Sequence, residues 1–160
     1  MSFKCYSCGK KHEGLPDIGA EYPDPYFDVP ENERVNRVIV TSDLCSIYDE
    51  EFFIRGVIEI HVHGQDARFG LGVWVSLKKE NFQCYVDNFD TDEIGPFFGW
   101  LSNRLECYAD DTFSLKTMTH FRGGKTRPFI EVEPTDHPLA VDQREGISIE
   151  RAWELVHHYM

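Results

Sequence analysis

Three things are scarce in this 160-residue chain, and each scarcity removes a class of protein. Long apolar runs are missing. The opening residues, MSFKCYSCGKK, hold no apolar stretch of secretory length, and nothing downstream approaches the roughly 20 apolar residues that a membrane span needs. The expectation is a soluble, cytoplasmic protein with no membrane partner. Basic residues are few: 16 against 28 acidic ones give a formal charge of −12, which repels a phosphate backbone. Lys78 and Lys79 form one pair, and Arg122, Lys125 and Arg127 a small cluster, too little for a nucleic-acid track. This charge suits a basic partner protein, although solubility alone would also produce it. An even set of cysteines is the third thing lacking. Five, an odd number with two in a CxxC pair, read as free thiols or metal ligands rather than a disulfide framework.

What is present is the composition of a globular domain, 41% hydrophobic with 14% aromatic residues, so the core should be rich in rings. One domain, residues 1–160, is expected, burying about two-thirds of the surface of the unfolded chain. Its centre is the stretch from Phe52 to Leu77. Ile58, Ile60 and Val62, then Phe69, Leu71, Val73, Val75 and Leu77, alternate with the period of two that marks strands with one buried face. The five residues Gly64 to Arg68 between the runs predict an antiparallel hairpin.

Around that hairpin the chain divides into a metal knuckle at 1–14, a proline-rich irregular arm at 15–30, a sheet with one inserted helix at 35–133, and C-terminal helices at 134–160. Pro30 opens a short helix, and Ile39 to Ile47 reads as strand. Phe82, Tyr85, Val86 and Phe89 form the apolar stripe of the inserted helix. In IGPFFGWLSN, glycines beside Phe97, Phe98 and Trp100 mark a strand against a crowded core, with a pocket wall as the other reading. Phe113 to Phe121 and Phe129 to Glu133 make a second hairpin. In the last segment Asp136 is placed to cap a short helix, Gly146 to end it, and Ser148 to cap the final helix. There Ile149, Ala152, Trp153 and Val156 form a buried stripe. The fold class is α+β: a mainly antiparallel sheet of about five strands, helices on one face, and an N-terminal arm like a zinc knuckle.

Two clusters carry candidate chemistry. Cys5 and Cys8 flank two residues ahead of Gly9, and His12 follows, so a tight turn would aim two thiolates and an imidazole at one ion. A structural zinc site takes four ligands. Cys45, in TSDLCSI, is the best fourth candidate because it would tie the arm to the sheet; Cys84 and Cys107 compete, and a small buried hydrophobe is an equal reading of Cys45 itself. The second cluster is His61, His63 and Asp66 in HVHGQD. Two histidines at i and i+2 share a strand face, and the carboxylate would complete the ligand set of a metal-dependent hydrolase. Polar residues also belong at such a turn on structural grounds, and that reading is the stronger.

The segments FKCYSCGKKHEGLP, SDLCSI, FFIRGVIEI, GVWVSL, GPFFGWLSN and EVEPTDHPLAVDQREGIS, in this order, resemble the bacterial family catalogued as domain of unknown function 2199. The resemblance spans nearly the whole chain. It implies that CxxC, His12 and Cys45 belong to the family's pattern, which supports the set Cys5, Cys8, His12 and Cys45; it implies no histidines at positions 61 and 63. No activity is implied. The block EPTDHPLAVDQREGI is either a ligand surface, with Arg144 as a fork for an anion, or a set of caps and turn bonds. The reading as a whole is a non-catalytic binding or interaction protein, of the immunity-inhibitor type, with one structural Zn2+; the alternative is a hydrolase using His61, His63 and Asp66.

Overall fold

The structure is a computed structural model that describes residues 18–66 and 68–159, together with the backbone of residues 3–4 and 11–12. Along the chain come β1 (Phe3–Lys4), β2 (Lys11–His12), β3 (Ile18–Gly19), α1 (Pro25–Asp28), α2 (Glu31–Arg37), β4 (Val38–Val40) and β5 (Leu44–Ile47). The long pair β6 (Glu51–His61) and β7 (Arg68–Leu77) follows, then α3 (Lys79–Asp87), β8 (Phe97–Leu101), β9 (Lys116–His120), β10 (Phe129–Val132), α4 (Pro138–Glu145) and α5 (Ile149–His157).

The alternation in Phe52 to Leu77 does what it predicts. β6 and β7 pair antiparallel from Phe52↔Leu77 to His61↔Arg68, and the in-phase residues, Ile58, Ile60, Phe69, Leu71, Val73 and Val75 among them, are fully buried. β8 then pairs with β7, β9 with β8 and β10 with β9, all antiparallel. The expected sheet lies open with helices on one face; this one closes on itself. β10 returns beside β6, parallel to it, at Phe129↔Val57, so five strands form a mixed barrel. Closure needs Gly56: a Cβ there would sit 2.6 Å from two Ile130 side-chain carbons and 2.9 Å from the Pro128 carbonyl oxygen. Only a residue without a side chain lets β10 come so near β6.

The outer edges of the central pair are shared. Beyond β10, β6 carries β5, and β4 pairs outside β5; beyond β8, β7 carries β3. The stretch Ile39 to Ile47 is therefore two short strands with a bend between them, because Thr41 Oγ1 accepts from Asp43 N and Leu44 N and turns the chain back. The proline-rich arm also holds one helical turn, α1, opened by Pro25.

Two apolar clusters result. The larger fills the barrel and takes in Leu139 and Ala140 of α4 and Ala152, Trp153, Leu155 and Val156 of α5. The smaller lies outside the barrel wall, where Phe53 and Trp74, out of phase with the interior, pack with Val29, Cys45 and Ile47. Ser148 caps α5 by accepting from Arg151 N, and Gly146, at φ 81°, ends α4, as expected. Asp136 does not cap α4. His137 does, its Nδ1 accepting from Leu139 N at 3.0 Å while Asp136 stays exposed. The stripe on α3 is buried only in part: Tyr85 is 6% exposed, but Val86 is 37% and Phe89 49%, since the helix stops at Asp87.

Candidate functional site

His61 is exposed at the end of β6, and His63 lies just past it with its ring centroid 5.7 Å from that of His61. His63 is spoken for. Its Nε2 donates to the Glu145 carbonyl at 3.0 Å, its backbone N donates to Ile147, and the Ile147 amide donates back to His61, which fastens the hairpin to the end of α4. Asp66 is exposed and lines a surface depression shared with Glu59, Arg68 and Arg122. The structure does not bring the three together: among the described residues, no three His, Cys, Asp or Glu side chains group as a metal site.

The block from Glu133 to Gly146 is occupied by internal bonds. Where β10 has left the reach of β6, Gln143 acts as a substitute strand edge, donating to the Ile130 carbonyl (2.9 Å) and accepting from Val132 N (2.7 Å). Asp142 accepts from the Tyr108 hydroxyl at 2.7 Å and from Arg151 Nη2 at 2.9 Å; burial and that carboxylate push the Tyr108 pKa well up, and the same carboxylate raises that of Arg151. Arg144 donates to the Thr135 carbonyl and His137 Nε2 to that of Asp111. These bonds support the structural reading of the block.

Of the proposed zinc ligands, Cys5 and Cys8 lie outside the described residues, and for His12 only the backbone is described. β1 and β2 pair antiparallel with His12 opposite Phe3. Cys45 is fully buried on β5 in the outer cluster, where burial, helped by Glu51, pushes its thiol up from 9.0 to about 12. Ala20 packs on that cluster, and its carbonyl accepts from Trp74 Nε1 at 3.3 Å. The competitors are placed elsewhere, Cys84 half-buried on α3 and Cys107 buried in the large cluster as acceptor for the Tyr159 hydroxyl.

The exposed face of β8 is the other candidate. In FFGWL the phase sends Leu101 inward and leaves Phe98 and Trp100 outside, each 43% exposed, their rings edge to face with centroids 5.0 Å apart. Gly99 lies so close to β7 that a Cβ would sit 2.4 Å from the Ser76 carbonyl oxygen. β7 ends at Leu77, so β8 pairs with it only at Val75 and Ser76 and grooves open beside the rings. One, of about 430 Å³, runs between Phe98, Trp100 and Asn81; another, of about 470 Å³, runs between Trp100, Phe52 and the carboxylates Glu50 and Glu51. Pro25 walls the second groove because Asn103, 1% exposed, donates to the Tyr22 carbonyl and to Asp24 and holds that part of the arm down. Among the described residues no cation pairs with Glu50 or Glu51, while neighbouring Lys79 pairs with Asp49 and lies 5.9 Å over the Phe52 ring.

The glycine-flanked aromatics of IGPFFGWLSN are open to two readings, a strand against the core or a pocket wall, and the structure makes them a strand with two rings outside. The sequence signal is the alternation of Phe98 and Trp100 with Gly99 and Leu101, which puts both rings on one face; that this face is the outer one is fixed only by the burial of Leu101.

Comparison with family models finds a match over residues 4–147 to one described as an uncharacterized protein conserved in bacteria, DUF2199. Comparison with curated proteins and with solved structures finds no match to either.

Proposed function

The chain belongs to this bacterial family, domain of unknown function 2199, and we propose that it serves there as a zinc-tethered interaction module whose β8 face docks a basic protein. The observation that carries the reading is the pair Phe98 and Trp100, solvent-facing and flanked by grooves, with Glu50 and Glu51, which have no ion pair among the described residues, lining one of them. Partly exposed aromatics beside carboxylates are what a lysine- or arginine-bearing surface anchors on, through ring contact and charge, and the charge of −12 would steer such a partner in. An inhibitor of the immunity type would use its surface in this way.

The zinc belongs to the same proposal. Cys5, Cys8, His12 and Cys45 would hold one ion, closed and tetrahedral, so its work would be to pin the arm rather than to activate water. Two observations support this set: the pairing of β1 with β2, which sets His12 opposite Phe3, and Ala20, which packs against the cluster containing Cys45. Elemental analysis of the purified protein should give one zinc per chain, and Cys5→Ser with Cys8→Ser should abolish it. Full occupancy in that variant would overturn the site.

The docking face is tested by affinity capture from a bacterial extract, followed by titration with the purified captured protein. A basic protein is expected, with affinity reduced about tenfold or more by Trp100→Ala. Recovery of nucleic acid or small molecules alone, or a partner indifferent to Trp100→Ala, would contradict the reading.

A further inference from the structure

Away from the β8 face, a cavity of about 150 Å³ lies between the end of α3, the loop after it and the turn joining β9 to β10. Its floor is Tyr85, 6% exposed and packed between Phe121 and Phe89, with ring centroids 4.8 and 5.0 Å away. The hydroxyl of Tyr85 has no hydrogen-bond partner among the described residues, although Tyr85 lines the cavity. The other buried tyrosine, Tyr108, spends its hydroxyl on Asp142. Phenylalanine would fill the place of Tyr85 in the core equally well, so its hydroxyl has no folding task here.

The charged groups at the mouth decide what the hydroxyl meets. All three guanidinium nitrogens of Arg122 are engaged, Nη1 on Glu59 and both Nε and Nη2 on the Arg127 carbonyl. Both oxygens of Asp43 accept, one from Arg127 Nε and one from Ser42 Oγ, and Asp90 accepts from the Lys125 amide. The remaining free groups are the Tyr85 hydroxyl, the Nη atoms of Arg127, which donates through Nε alone, the Lys125 ammonium, which has no ion pair among the described residues, and one oxygen of Asp90, so donors outnumber the single acceptor. Burial, with Asp43 adding to it, pushes the phenol up to about 12, so it stays a donor at ordinary pH.

We propose that this cavity is a binding site for a small organic carboxylate whose apolar body lies against Phe89 and Phe121 while its oxygens take the Tyr85 hydroxyl and the free edge of Arg127. A guanidinium edge matches a carboxylate in shape as well as charge, and the aromatic walls disfavour a bare inorganic anion. The site is independent of the docking face, since none of its residues lines the grooves beside Trp100.

The test is a two-dimensional amide NMR titration of the full chain with benzoate, with benzylamine and inorganic phosphate as parallel probes. Saturable shifts at Phe121 and Gly123 are expected with benzoate alone, and Tyr85→Phe should weaken that binding about tenfold without broadening the spectrum, since only an unpaired hydroxyl is lost. Absence of saturation with benzoate, equal binding of benzylamine or phosphate, or equal benzoate binding by Tyr85→Phe would each overturn the proposal. The three-probe comparison on the native chain decides the question even without the variant.

Discussion

Residue types in the block from Thr135 to His137 look interchangeable in sequence, yet only one of them holds the helix. Asp136 has the ordinary capping chemistry, but His137 takes the cap because its ring reaches in two directions at once, Nδ1 to Leu139 N and Nε2 to the Asp111 carbonyl. His137→Ala should therefore cost about 1 to 2 kcal/mol in urea unfolding, and Asp136→Ala less than about 0.5. Equal losses would show that the cap is not where the geometry puts it. The capping site was legible from the sequence to within one residue. The choice between neighbours was not, because it depends on where the Asp111 carbonyl lies in space.

Strands tell a similar story on the scale of elements. The β6–β7 hairpin was legible because its alternation is long and regular, and the final helix because Ser148 and its apolar stripe agree. Closure of the barrel was not. It depends on Phe129 meeting Val57 in a parallel pair, which leaves no periodic trace, and on Gly56, which in sequence is one glycine in a strand. The outer cluster was hidden for the opposite reason. Phe53 and Trp74 fall off the interior phase and look like exceptions until β5 and the arm cover them. Gly56→Ala should destabilise by about 1 to 3 kcal/mol, from overpacking against Ile130, read as a lower urea midpoint. An unchanged midpoint would mean that β10 does not approach as closely as described.

For the molecule as a whole, two tryptophans are buried, Trp153 in the large cluster and Trp74 outside the barrel wall, and the third is displayed. Trp74 and Trp153 are 0% and 1% exposed, whereas Trp100 is 43% exposed, so one indole alone reports on the β8 face. Of that candidate face, the sequence disclosed the strand and its glycines but not its outward rings, since a single chain read without its neighbours does not say which phase the core takes. The face, the acidic rim and the net charge are the three features on which the proposed recognition of a basic protein rests.

Acrylamide quenching of tryptophan emission, measured with and without the captured basic protein, tests that account most directly. The free chain should show one accessible tryptophan, and saturation with the partner should shield it, leaving quenching at the level of Trp100→Phe. A partner that binds the chain and leaves the quenching of Trp100 unchanged would contradict it.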